Sequence, residues 1–119
     1  MTKANIEDSL NELNSLILTG KSHEAFEKYY AEEVVMQENE MTPTFGKEAN
    51  RLREKEFSSN VEAFRKAEIL GIAVGENISY VTWYYDFKHK FWGERKYTQV
   101  SVQKWKDGQI IKEQFFYGN

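Results

Sequence analysis

The chain has 119 residues, no cysteine, two histidines and a formal net charge of −3. This length gives one domain, 1–119, able to bury roughly 65% of its unfolded surface. The missing cysteines exclude disulfide scaffolding, thiol catalysis and any zinc site built on Cys, and His23 and His89 lie too far apart in sequence to suggest a histidine metal site, so no metal is expected. The acidic balance argues against a nucleic-acid partner, which needs a concentrated basic face. No apolar run approaches the roughly 18 residues of a membrane span. The first residues carry Glu7, Asp8 and Glu12 among their apolar positions and do not read as a signal peptide, so a cytoplasmic location is the expectation.

In chain order, Ile6, Leu10, Leu13 and Ile17 repeat at helical spacing and predict a one-faced amphipathic helix, closed by Gly20. Ser22 is placed to cap a second helix whose buried side is Ala25, Phe26, Tyr29 and Tyr30. Val34–Met36 reads as a short strand, and a loop through Pro43 leads to Gly46. A charged third helix is expected from Lys47 to Phe57, with Leu52 and Phe57 as its apolar contacts. Its Arg51–Glu56 run reads as a charged face with pairs at i,i+3 and i,i+4.

The second half changes style. Of 18 aromatic residues, twelve lie between Tyr80 and Tyr117. A long β stretch runs from Val61 to Val74, with Gly71 marking a bulge or bend. Turn residues at Gly75–Asn77 lead into a strand over Ile78–Lys88. From Lys96 to Trp105 the alternation is clean, with Tyr97, Gln99, Ser101, Gln103 and Trp105 on one face. Asp107–Gly108 is a hairpin turn, and Ile110–Tyr117 is the last strand. Helices followed by long strands define an α+β fold with the helices on one face of an antiparallel sheet.

Three strings in this order carry a family resemblance: Ala25 to Met36 around Tyr29-Tyr30-Ala31-Glu32-Glu33, then Phe45-Gly46-Lys47-Glu48-Ala49, then Lys106-Asp107-Gly108-Gln109-Ile110. The chain resembles the nuclear transport factor 2-like superfamily (cystatin-like fold), in particular its ketosteroid-isomerase-like and SnoaL-like (polyketide cyclase) members. The resemblance implies a cone: a strongly curved sheet wrapped around the N-terminal helices, with an apolar pocket at its open end. It also implies a homodimer through the outer sheet face and a small apolar, carbonyl-bearing ligand.

In isomerase-like members a carboxylate at the end of the first strand removes a proton beside a carbonyl, and Glu38 fits that position. Such a base works in an apolar pocket, where desolvation raises its pKa. The positions matching the family's Tyr and Asp oxyanion donors are Asn14 and Ser101, neither of them a strong acid, so authentic steroid isomerase activity is not expected. Tyr117 is a further candidate donor. Tyr30, Trp83, Tyr85, Gln99, Gln103, Glu113 and Phe115 are candidate pocket-lining residues. Trp83 and Tyr85 share one face of their strand, while Tyr84 and Asp86 share the other, and the rings fit a ligand pocket or a dimer interface. The glutamines fit a pocket or a dimer-facing surface equally well. His89 is expected to be exposed near a hairpin and His23 at the surface. The function implied is binding of a small apolar molecule with proton transfer of the isomerase or cyclase type, for which no cofactor is needed. The alternative is a non-enzymatic, dimeric ligand-binding or interaction module.

Overall fold

A computed structural model describes residues 1–118, and it builds the cone from three helices and one six-stranded sheet among them. Helix α1 (Lys3–Leu18) starts at Thr2, whose hydroxyl accepts from the Asn5 N–H, and buries Ile6, Leu10 and Leu13. It stops in a Schellman turn: Lys21 N–H donates to Leu16 O, Gly20 N–H donates to Ile17 O, and Gly20 takes φ +80°. Helix α2 (Ser22–Tyr29) follows at once. Its cap residue is Lys21 and no side chain bonds its N-terminus, so Ser22 lies inside the first turn and is not the cap its position suggested.

Strand β1 (Tyr30–Glu38) is longer than the Val34–Met36 core that its β-branched residues advertise. The two-residue strand β2 (Thr44–Phe45) pairs with it. Helix α3 (Lys47–Ser59) begins after Gly46, whose φ of +90° with ψ 152° is open only to glycine. Arg51 clamps Glu27 of α2 through two bonds of 2.7 and 2.9 Å, while the buried Lys47 Nζ donates to Glu27 O at 2.9 Å. The guanidinium holds the Glu27 carboxyl down at about 2. Asn50 Nδ2 donates to the carbonyls of Thr44 and Gly46, which fixes the loop before the helix. Leu52, expected as an apolar contact, is 59% exposed. The inward side of α3 instead carries Lys47, Asn50, Glu54 and Phe57.

Strands β3 (Val61–Gly75), β4 (Ile78–His89), β5 (Gly93–Lys106) and β6 (Gln109–Tyr117) form the body of the sheet, in the order β2-β1-β6-β5-β4-β3. All neighbours are antiparallel except β1 and β6, which run parallel, so the expected all-antiparallel sheet is a mixed one. A parallel partner needs a long crossover, and the chain from β1 to β6 supplies one through α3 and strands β3 to β5. Register shifts break β3 after Val61, Phe64 and Ile69, the last at Gly71 as the sequence suggested. Each bulge bends the strand and adds twist, and together they curl the sheet around α1 and α2. Asp107 and Gly108 (φ +51° and +82°) make the tight β5–β6 turn. Ile6, Leu10 and Leu13 of α1, Phe26 of α2, and Val81, Trp83, Trp105 and Ile110 of the sheet close the narrow end of the cone.

Candidate functional site

The wide end of the cone is a cavity of about 1220 Å³ that opens to solvent between α3, the end of β1 and the β4–β5 hairpin. Strand parity decides what faces it. Inward residues are Trp83, Tyr85, Phe87 and His89 on β4, Arg95, Tyr97, Gln99, Ser101 and Gln103 on β5, and Glu113, Phe115 and Tyr117 on β6, with Tyr30 from the start of β1. Trp83 and Tyr85 stack at 5.6 Å and make one wall.

The deepest polar group is Glu113, fully buried and bonded from both sides. Trp105 Nε1–H donates to Ser79 Oγ at 2.9 Å, and Ser79 O–H donates to Gln103 Oε1 at 2.6 Å. Gln103 Nε2–H donates to Glu113 Oε2 at 2.9 Å, and Tyr30 O–H donates to Glu113 Oε1. The indole can only donate. It therefore orients the serine hydroxyl, which turns the Gln103 amide so that its N–H₂ meets the carboxyl. Burial raises the Glu113 pKa to about 7 although both donors pull it down. The Tyr30 phenol is driven well above its ordinary value by burial and by the adjacent Glu113.

Glu54 is the second carboxyl here. It projects from α3 into the cavity with no hydrogen-bond partner among the described residues, and desolvation alone lifts its pKa to about 7. In sequence Glu54 belongs to the Arg51–Glu56 run, which predicts a charged helix face. Its spacing from Lys47, Asn50 and Phe57 is the signal that was available, obscured because a cavity-facing side need not be apolar.

Glu38 lies elsewhere than a buried base would. It sits at the rim with its side chain 38% exposed, accepting from Arg53 at 3.2 Å and from Tyr117 O–H at 3.1 Å. The apolar environment demanded of it is occupied by Glu113 and Glu54. Tyr117 packs on Tyr97 at 5.3 Å, and burial together with Glu38 pushes its phenol up to about 12. Ser101 is buried on the cavity wall and accepts from Gln99 Nε2–H at 3.4 Å; among the described residues no acceptor faces its own hydroxyl proton. Asn14 does not line the cavity. It is buried on α1, and neither side-chain polar atom has a partner among the described residues.

His89 is 3% exposed, contrary to the expectation of a surface residue, because Trp92 folds back and stacks on it at 3.9 Å with Phe57 behind. Its Nδ1 accepts from the Phe91 N–H at 3.2 Å, which leaves Nε2 to carry the proton of the neutral ring. His23 is at the surface, 3.8 Å from Glu27. Among the described residues no group of three His, Asp or Glu side chains is placed to hold a metal ion, and no helix is long and apolar enough to cross a membrane.

A curved, unclosed sheet around three helices, with a cavity at its wide end, defines the class of nuclear transport factor 2-like cones. A family model described as a SnoaL-like domain matches residues 1–117, so the chain belongs to the SnoaL-like family. A solved structure from Mesorhizobium loti, described as a SnoaL-like polyketide cyclase, superposes with a TM-score of 0.86 at 24% identity, covering 94% of this chain and 98% of its own. A second protein so described, from Jannaschia sp. CCS1, has a TM-score of 0.82 at 10% identity over 97% of this chain and 86% of its own. A cystatin-like-fold protein of unknown function from Xanthomonas campestris superposes at 0.79 with 14% identity, covering all of this chain and 92% of its own. At these identities the likeness is one of fold. Comparison with curated proteins finds no match.

Proposed function

We propose that the cone binds a small, largely apolar, carbonyl-bearing molecule and moves a proton on it, with Glu113 as the base and Glu54 as the acid. One observation carries this reading: two carboxyl groups, each brought to about 7 by burial, share one cavity with no hydrogen bond between them. Near neutral pH such a pair holds about one proton, because each charge disfavours the other. In this reading Glu113 is the base, because Tyr30 and Gln103 bond to its charged form, and Glu54, which has no donor, is the acid. Carboxylate Glu113 would take the proton from the carbon beside the carbonyl. The carbonyl oxygen would gain negative charge and accept a hydrogen bond from the Glu54 acid, with the Ser101 hydroxyl as a second donor. Returning the proton to a different atom completes an isomerisation; attack of the enolate carbon on a second carbonyl completes a cyclisation.

Deuterium exchange at the α-carbon of 2-tetralone in heavy water, followed by NMR, tests the reading. The protein should accelerate exchange, and Glu113→Gln should lose about 100-fold or more of it, the usual scale of a general base. Glu38→Gln should retain it. Full activity in Glu113→Gln ends the assignment, and loss in Glu38→Gln returns the role to Glu38.

Binding without turnover is the second reading, favoured because Tyr117 and Glu38, the rim pair, already satisfy each other. A bound ketone with exchange no faster than in buffer would select it. A homodimer is part of either reading. Tyr80, Val102, Val100 and Phe116 are cross-strand neighbours on the convex face, and Tyr80 and Phe116 are 39% and 40% exposed. This apolar band is what would pack against a second copy.

A further inference from the structure

We infer that the molecule taken by the cavity is an acid, and that Arg95 binds its carboxylate at the mouth. The inference rests on the reading of the cone as a binding cavity but not on the proton transfer. Strand β6 ends at Tyr117 opposite Gln99, so β5 overhangs it, and Arg95 and Tyr97 lie on that overhang facing inward. Arg95 is the one Lys or Arg among the inward-facing residues of β4, β5 and β6. The other basic residues of these strands, Lys88, Lys96, Lys104, Lys106 and Lys112, alternate to the convex face.

Its guanidinium lies over the Tyr97 ring at 5.3 Å and is half-buried, yet no carboxylate among the described residues lies within salt-bridge distance. The carboxylates of the lining are otherwise disposed. Glu38 is held by Arg53 and Tyr117, Glu113 by Tyr30 and Gln103, Glu54 is shifted towards its neutral form, and Glu56 is exposed. A half-desolvated cation left without an anion, at the entrance of an aromatic cavity, matches a ligand whose apolar body lies along Trp83, Tyr85 and Phe115 and whose carboxylate stays at the rim. Arginine suits that contact because its planar fork offers two parallel donors to a carboxylate.

The test compares 2-naphthoate with its neutral analogue 2-acetonaphthone, read by tryptophan fluorescence. The wild-type protein should favour the acid by about tenfold, the scale of one charge-assisted hydrogen bond at a partly wet site. Arg95→Gln should remove that preference, weakening 2-naphthoate binding far more than 2-acetonaphthone binding. Lys96→Gln, the same charge change one residue away on the convex face, should preserve it. In the wild-type protein the preference should also weaken with added salt, while binding of the ketone does not. Equal affinity for the two probes, a preference untouched by Arg95→Gln, or a preference indifferent to salt overturns the assignment to Arg95. Failure of the wild-type protein to bind either probe overturns the cavity reading itself.

Discussion

Tyr30 and Glu113, 83 positions apart in sequence, meet in one buried hydrogen bond at the base of the cavity. The parallel pairing of β1 with β6 makes the meeting possible, since it sets Tyr30 opposite Ile110, three residues before Glu113. A fold that buries an acid next to a phenol has consequences that can be measured without knowing the ligand.

Stability should fall as pH rises from about 5 to 8. The folded-state pKa values of Glu113 and Glu54 are raised from 4.5 to about 7. Between those values the folded chain binds more protons than the unfolded one, so each group costs stability that grows until pH passes 7. The cost is on the order of a few kcal/mol per group at most. Below pH 4.5 the trend reverses, because Glu27, depressed to about 2 by Arg51, loses its stabilising charge as it is protonated. Thermal melting across pH should therefore peak near pH 5. Glu113→Gln should flatten the limb above the peak, because glutamine reproduces the neutral acid: its carbonyl accepts from Gln103 and its amide donates to Tyr30. A profile that rises from pH 5 to 8 would contradict the burial of both acids.

Tyr30→Phe should raise the Glu113 pKa further, by about one unit. The phenol stabilises the charged form, and its loss leaves Gln103 as the single donor. Carbon-13 NMR of the glutamate carboxyls reads this directly, with the Glu113 midpoint moving up. If the base assignment is correct, the lower limb of the tetralone exchange profile moves up with it. A midpoint that stays or falls would mean that the phenol does not act on Glu113.

Ser79→Ala should reach Glu113 through one intermediary, Gln103. Ser79 accepts from Trp105 and donates to Gln103, so the variant strands a buried indole N–H and frees the Gln103 amide to rotate. Leaving a buried donor unpaired costs about 1–3 kcal/mol. The Trp105 indole proton should exchange faster, and the Glu113 midpoint should rise as Gln103 ceases to be a fixed donor. An unchanged melting temperature and midpoint would show that the serine is a passive filler.

The legible part of this chain is what local chemistry dictates. Ile6, Leu10 and Leu13 announced α1, Asp107–Gly108 announced its turn, and the alternation from Tyr97 to Trp105 put Gln99, Ser101 and Gln103 on one side of β5. What escaped depends on contacts remote in sequence. The bulge at Lys104/Trp105 shifts the register of β5 against β6, and only the pairing reveals it. The inward side of α3 carries Asn50 and Glu54, so a rule seeking apolar residues chose Leu52, which points to water. His89 resembled a surface residue because the ring that covers it, Trp92, belongs to the turn that seemed to expose it. Glu38 was placed by family position, and its neighbour Arg53 comes from a helix whose orientation the sequence did not fix.

Asn14→Leu should stabilise the protein. Asn14 is 4% exposed on α1, and both its amide nitrogen and its carbonyl oxygen lack partners among the described residues. Burying such a group unbonded costs about 1–3 kcal/mol, and leucine keeps the branching and heavy-atom count of the amide without that cost. Replacement should raise the melting temperature by several degrees, given that about 1 kcal/mol corresponds to a few degrees in a domain of this size. Because Asn14 does not face the cavity, tetralone exchange and naphthoate binding should be unchanged. A stabilised variant with full exchange removes Asn14 from the oxyanion role that its helix position suggested. A destabilised one would instead count against the unpaired amide as a cost to the fold.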